Sequence, residues 1–228
     1  MIVVTEEARK RASCVRLGLL SWAETGLRKY PWRTNRTPYS VMVAEFLLKR
    51  TTAPAVNRMF EQFMKRYPEI SALYEANHND LKESLQAIGY HKLRAREIKK
   101  TAAYIVEVLG GEIPKDLSKL LMIPNVGPYT ASAILSLGYG IPASMVDSNV
   151  ERIINRVFRN CMSDHQDLKT VKQIVDILLP AERHDIFSLA LIDLGGTICT
   201  YRKTICEKCP INRCCDIGAR TEPKNKSV

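Results

Sequence analysis

Residues 121–131 read Leu121-Met122-Ile123-Pro124-Asn125-Val126-Gly127-Pro128-Tyr129-Thr130-Ala131. The stretch spells helix, tight turn, helix, and Asn125 and Gly127 supply residue types that tolerate a positive φ at the turn. The turn opens into a helix N-terminus, where free N–H groups and the helix dipole favour a phosphate. Packing between two helices explains an αα-hairpin equally well. Outward from this stretch the chain keeps a helical rhythm. Glu6 to Arg28, Val41 to Tyr67 and Leu81 to Leu109 carry apolar residues at three- and four-residue spacing. Proline and glycine punctuate between these segments, and no run of alternating β-branched residues interrupts them. Ser118 before Leu120, and Asp147 or Ser148 before Val150, are capping signals. The expected class is all-α, with the tail from Thr221 onward unstructured.

The chain has 228 residues, enough for a real core in one or two domains, and 46% hydrophobic against 25% charged residues suits a soluble protein. No apolar run approaches bilayer length, and the first residues lack the apolar stretch of a signal peptide, so a cytoplasmic protein without a membrane partner is expected. Lys and Arg number 34 against 24 Asp and Glu, a net charge of +10. That excess favours an anionic partner. Charge alone does not choose among DNA, RNA and an acidic surface.

Seven cysteines without an export signal argue against a disulfide framework. Five of the seven fall between Cys199 and Cys215, which points instead to metal ligation. The spacing Cys199-x6-Cys206-x2-Cys209-x5-Cys215 places four thiolates where they could wrap a compact soft-metal centre. Tetrahedral zinc competes with an iron–sulfur cluster for such a set, and free buried cysteines are the third possibility. Cys214 reads as a bystander. Arg202, Lys203, Lys208 and Arg213 stud the same loop, either to contact phosphates or as solvated side chains.

Eighteen residues after Tyr129 stands Asp147, within Val146-Asp147-Ser148-Asn149-Val150-Glu151-Arg152. The pair of segments resembles the helix-hairpin-helix and aspartate motifs of the HhH-GPD superfamily DNA glycosylases, the endonuclease III/MutY family. Their patterns are L-P-G-V-G-x-x-T-A and V-D-x-N-V-x-R, with Asn125 here in place of the first glycine. Tyr30-Pro31-Trp32-Arg33, Pro38-Tyr39, Ala44-Glu45-Phe46-Leu47-Leu48 and Ile88-Gly89-Tyr90 resemble the same family upstream. Leu191 to Cys199 resembles its lead-in to the cysteine loop, so the likeness covers nearly the whole chain. It implies two helical lobes with the active site in the cleft between them. Residues 29–135 would form a six-helix barrel domain with the helix-hairpin-helix. Residues 1–28 and 136–228 would form a discontinuous domain holding a [4Fe–4S] cluster on Cys199, Cys206, Cys209 and Cys215. The implied partner is double-stranded DNA containing a mismatched or damaged base, met by a monomer in the cytoplasm at the nucleoid.

A glycosylase flips its base out of the stack and breaks the C1′–N bond, leaving positive charge on the sugar. By the resemblance, Asp147 stabilises that charge, although an aspartate there is also an ordinary helix N-cap. Glu45 matches the group that protonates the leaving base. Its apolar neighbours suggest partial desolvation, with an exposed helix face as the alternative. Tyr129 stands where bifunctional relatives carry a nucleophilic lysine, which implies a monofunctional enzyme. Lys49, Arg50, Asn125, Val126, Gly127, Thr130 and Arg33 are the expected DNA contacts, with Arg50 as a wedge filling the gap left by the flipped base. Trp32 and Tyr39 are either pocket or core, and the helix carrying Lys92, Arg94, Arg96, Lys99 and Lys100 is either backbone-binding or solvated.

Leu48-Lys49-Arg50-Thr51-Thr52 resembles the L-R-R-T-T of the MIG-type G/T mismatch-specific thymine-DNA glycosylases more than the L-Q-Q-T-Q of MutY. The chain also stops soon after Cys215, short of the further domain by which MutY recognises oxidised guanine. Thymine or uracil opposite guanine is therefore the expected target. Adenine opposite guanine or 8-oxoguanine is the alternative, an endonuclease III-like lyase is disfavoured by Tyr129, and a non-catalytic DNA-structure-binding module is the alternative of another class.

Overall fold

The computed structural model describes residues 6–161 and 167–218; the tail from Thr221 lies outside the described residues. The α-helices are α1 (Glu6–Gly26), α2 (Pro38–Leu48), α3 (Ala53–Asn57), α4 (Phe60–Arg66), α5 (Ile70–Glu75), α6 (His78–Ser84), α7 (His91–Leu109), α8 (Leu117–Met122), α9 (Pro128–Ala133), α10 (Ser148–Val157), α11 (Leu168–Leu178) and α12 (His184–Thr197). Among the described residues there is no β-strand, only an isolated bridge between Cys199 and Thr204, so the all-α expectation holds. No helix among them is long and apolar enough to cross a membrane. The chain forms two compact units, Lys29–Ile141 and a second made of Met1–Arg28 with Pro142–Val228.

In the unit Lys29–Ile141, α2 is the central helix. Thr37 caps it through a reciprocal pair of hydrogen bonds with Ser40 (3.1 and 2.9 Å). Val41, Met42, Val43, Ala44, Phe46 and Leu47 are all buried, so the helix is apolar nearly all round, as an interior helix must be. Helices α5 and α6 pack on α7, and α8 packs on α9. A π-helical turn, Ile134–Gly138, continues α9 and lies against α2. Tyr139 donates to Ile113 O, and Ile141 N donates to Leu135 O at 2.9 Å. These contacts keep residues 136–141 with this unit, so its boundary falls after Ile141 and not after Leu135.

The helical rhythm over 41–67 and 81–109 is broken twice, at Arg50, which carries no turn signal, and at Gly89-Tyr90, where the glycine does. Arg50 (φ 53°) ends the α2 segment and Tyr90 (φ 50°), beside Gly89 (φ 70°), ends the one before α7. Periodicity reports which face is buried, not whether the helix is continuous. Helix α8 starts two residues earlier than its serine suggested. Its N-cap is Asp116, which accepts from Lys119 N at 2.9 Å and from the Ser118 hydroxyl.

The other unit packs α1, α10, α11 and α12 around Leu19, Ile154, Val175, Leu178, Phe187 and Leu194, every one with at most 1% of its surface exposed. Burying side chains of this size is worth about 1.5–3 kcal/mol each. Asp193, fully buried on α12, takes Arg28 as partner: Nε donates to Oδ1 at 2.7 Å and the Arg28 amide to Oδ2 at 2.8 Å. A buried carboxylate satisfied on both oxygens pins the end of α1 to α12, which explains why the first 28 residues join the C-terminal half.

Cys14 on α1 and Cys214 form a disulfide with Cα atoms 6.1 Å apart. Cys214 thus stands outside the set of four free thiols, and its single disulfide was not foreseen, because a partner 200 residues away leaves no mark in local spacing. A crosslink closing so long a loop stabilises by constraining the unfolded chain. Cys14→Ser is expected to lower the unfolding free energy by about 2–4 kcal/mol. Urea denaturation without reductant measures this, and an unchanged midpoint contradicts it.

Candidate active site

In the unit holding α10, Asp147 occupies the N-cap of that helix. Its Oδ1 accepts from Asn149 N at 2.9 Å and Val150 N at 2.8 Å, and its Oδ2 accepts from Asn149 Nδ2 at 2.8 Å. The cap fixes one oxygen and Asn149 fixes the other, so the half-buried carboxylate has a single orientation. Asn149 is itself held. Arg152 Nη2 donates to Asn149 Oδ1 and to Gly195 O, both at 2.8 Å, while its Nε donates to Cys199 O at 3.1 Å. One turn on, Arg156 Nη1 donates to Cys199 Sγ at 3.2 Å and Thr200 O at 2.8 Å.

Cys199, Cys206, Cys209 and Cys215 are free thiols, half-buried, and all four line one pocket together with Arg156. Burial pushes the Cys209 thiol up to about 11 and also raises Cys215, with the neighbouring sulfurs adding to both effects. Among the described residues no three His, Cys, Asp or Glu side chains gather tightly enough to hold a single metal ion. Arg202, Lys203, Lys208 and Arg213 are exposed around the loop.

In the unit Lys29–Ile141 the hairpin turn forms at Asn125, left-handed at φ 65°. Asn125 Nδ2 donates to Glu97 O at 3.1 Å and Thr101 Oγ1 at 3.2 Å, which anchors the turn to α7. Gly127 is exposed, and an added Cβ there would meet nothing within 4 Å. Val126 faces inward instead, with a buried side chain and an amide that donates to Ile123 O at 3.1 Å. The Thr130 side chain is buried too. Tyr129 and Glu45 are half-buried, in the first turn of α9 and on α2.

Lys49 turns inward, donating to Asn125 O at 2.7 Å with its ammonium 4.9 Å from the centre of the Phe46 ring. Burial lowers its pKa, opposed by the charges of Glu97 and Glu45. Arg50 is exposed, its guanidinium 5.9 Å from the Tyr90 ring centre. The Arg33 guanidinium lies over Tyr30, which stacks on the buried Trp32 at 4.5 Å. Tyr39 donates to Tyr67 O at 2.7 Å, and burial, then Glu69, raises its pKa. Trp32 is therefore core, while Tyr39 is half-buried with its hydroxyl committed to the backbone. Of the α7 cations, Arg94 is buried and Lys99 donates to Tyr74 O and Ala76 O.

Sequence reasoning missed the supporting residues Asn149, Arg152, Arg156 and Arg94. A signal existed for the first three: polar residues at i, i+3 and i+7 on α10 form one helix face. None existed for Arg94, which looks like any other cation of a basic helix.

Residues 43–177 match the family model described as HhH-GPD superfamily base excision DNA repair protein. The thymine/uracil-DNA glycosylase of Methanothermobacter thermautotrophicus is 32% identical over 86% of this chain and 90% of that protein. The thymine-DNA glycosylase of Aeropyrum pernix is 34% identical over 90% of this chain and 94% of its own length. Adenine DNA glycosylases also match, at 28–31% identity. The solved structure of a thermostable thymine-DNA glycosylase superposes with a TM-score of 0.88 at 30% identity, covering 92% of this chain and 98% of that one. With motif, fold and relatives in agreement across most of its length, the chain belongs to the HhH-GPD superfamily of base excision DNA repair proteins.

Proposed function

We propose that the chain is a monofunctional DNA glycosylase that hydrolyses the N-glycosidic bond of thymine or uracil opposite guanine in double-stranded DNA. The observation that carries this is the single orientation of Asp147, capped by α10 and steadied by Asn149. As the C1′–N bond breaks, its electron pair leaves with the base and positive charge grows on the sugar. Asp147 stabilises that charge, and water adds at C1′ while giving up its proton to the Asp147 carboxylate, which later passes it to solvent. Glu45 protonates or hydrogen-bonds the leaving base. Tyr129 supplies no amine for a Schiff base, so the product is an intact strand with an abasic site. Arg50 fills the gap in the stack, the exposed edge of the hairpin at Gly127 approaches a phosphate, and Arg33 and the loop cations add backbone contacts. Thymine and uracil are favoured over adenine by the Leu48-Lys49-Arg50-Thr51-Thr52 run and by the likeness to thymine/uracil- and thymine-DNA glycosylases at 32–34% identity.

The residues at the cysteine pocket fit a [4Fe–4S] cluster. Four unpaired thiols share one pocket without converging on a single point, which suits a polynuclear centre better than one zinc ion. Burial keeps such thiols protonated until a metal cation compensates their charge. Cys199, Cys206, Cys209 and Cys215 would hold the cluster, which when bound orders the loop as a structural or redox-sensing group. Arg156 donates to the first of these sulfurs.

The testing experiment is single-turnover excision on labelled duplexes containing G·T, G·U, A·G and A opposite 8-oxoguanine. Scission of the T or U strand only after hot alkali is expected. Scission of the adenine strand alone would make this an adenine glycosylase, and no scission of any duplex would leave a DNA-binding module. Asparagine caps a helix as well as aspartate, so Asp147→Asn is expected to melt like the parent while losing about 10²–10⁴-fold in rate. Asp147→Ala is expected to lose a further ~1 kcal/mol of stability. Purified protein should be brown, with equal iron and acid-labile sulfide; a colourless zinc protein would contradict the cluster assignment.

A further inference from the structure

Three turns in the unit Lys29–Ile141 pass through left-handed backbone at residues other than glycine: Arg50 after α2, Tyr90 before α7 and Asn125 in the hairpin; those at Arg50 and Asn125 are both tied to α7. Asparagine takes that conformation readily, but arginine does so only where its surroundings hold it there. Thr51 N donates across the turn to Leu48 O at 3.1 Å, and a buried side chain from another helix braces it. Arg94 on α7, with 4% of its surface exposed, sends Nη1 to Phe46 O and Nη2 to Lys49 O (2.8 Å) and Thr51 Oγ1 (2.9 Å). Its bonds therefore bracket Arg50 on both sides. The Thr51 hydroxyl lies 3.2 Å from Ile88 O, which ties the same turn to the segment leading into α7.

The hairpin turn rests on the same helix. Asn125 bonds to Glu97 O and Thr101 Oγ1, and Thr101 Oγ1 donates to Pro124 O at 2.7 Å. Lys49 Nζ bridges the two turns by its bond to Asn125 O. Residues 94, 97 and 101 stand at i, i+3 and i+7, one face of α7. Desolvation of Arg94 is offset by three acceptors arranged for a planar fork, an arrangement lysine cannot reproduce.

We infer that Arg94 is a positioning residue for opening the base stack: it fixes Arg50 on its left-handed turn and, through Lys49 and Asn125, sets that turn relative to the hairpin. A wedge whose backbone is already fixed in the free protein loses less freedom on binding than a mobile one. This inference rests on the wedge role of Arg50 proposed above.

The test compares Arg94→Lys, Thr51→Val, Arg50→Ala and the double variant Arg50→Ala/Thr51→Val. Each is assayed for binding to undamaged duplex, binding to a duplex with an abasic site opposite guanine, and enhancement of 2-aminopurine fluorescence beside the mismatch, which reports unstacking. Thr51→Val removes one acceptor of Arg94 without leaving an unpaired buried charge, so it carries the test if Arg94→Lys does not fold. The single variants are expected to weaken abasic-site binding by about three- to tenfold and to reduce the fluorescence gain. Undamaged-duplex binding should stay nearly constant, and the double variant should be no worse than Arg50→Ala alone. If Arg50→Ala weakens abasic-site binding while Thr51→Val and Arg94→Lys do not, the brace is refuted and the wedge survives. Additive losses in the double variant would also refute it, because the effect would not run through Arg50. If Arg50→Ala itself changes nothing, the wedge reading fails and the inference falls with it.

Discussion

One guanidinium connects three segments of the unit built on α10. Arg152 bonds to a side chain of its own helix, to Gly195 O on α12 and to Cys199 O at the head of the cysteine loop. Helices α10 and α12 come close enough for this because residue 195 is glycine: an added Cβ would stand 2.6 Å from the Asn149 Cβ. A planar, permanently charged fork can meet several fixed carbonyls at once, which an ammonium on a flexible stem does not. The position of Asn149, and through it the second oxygen of Asp147, follows from where Gly195 and Cys199 place their carbonyls. Asp147 is oriented locally by the helix it caps and at longer range by the loop that carries the four free cysteines.

The other unit solves a similar problem with different parts. There α7 supplies three anchor points, and two short turns hang from them. Cations expected to face DNA are used internally: Lys49 and Arg94 bond to backbone carbonyls of the turns, and Lys99 bonds to those of α5 and its cap. With Arg28 committed to Asp193, the net charge of +10 overstates what is available to phosphates. Arg50 and the four cations on the cysteine loop are among those that stay exposed.

What could be read from sequence was what local spacing encodes. The hairpin turn at Asn125 and the cap at Asp147 each lie within a short stretch, and each is formed as its residues suggested; the x6-x2-x5 cysteines line one pocket. Periodicity identified the apolar faces but not the break at Arg50, because arginine is not a turn-forming residue type; the break at Tyr90 follows Gly89. Inward and outward roles were harder. Val126, Thr130, Tyr39 and Lys49 look alike as interface or interior until their partners are known, and those partners come from elsewhere in the chain. The Cys14–Cys214 pair is the extreme case, since nothing near either cysteine announces the other.

Arg152 links the cysteine loop to the orientation of Asp147 through Asn149. The direct measurement is the single-turnover excision rate of Arg152→Lys on a G·T duplex, beside its affinity for the abasic-site product. A loss of about 10–100-fold in rate, with product affinity held within about twofold, is the expected result for a misplaced carboxylate. An undiminished rate would mean that the cap of α10 suffices to orient Asp147 and that the bond to Cys199 is incidental to the chemistry.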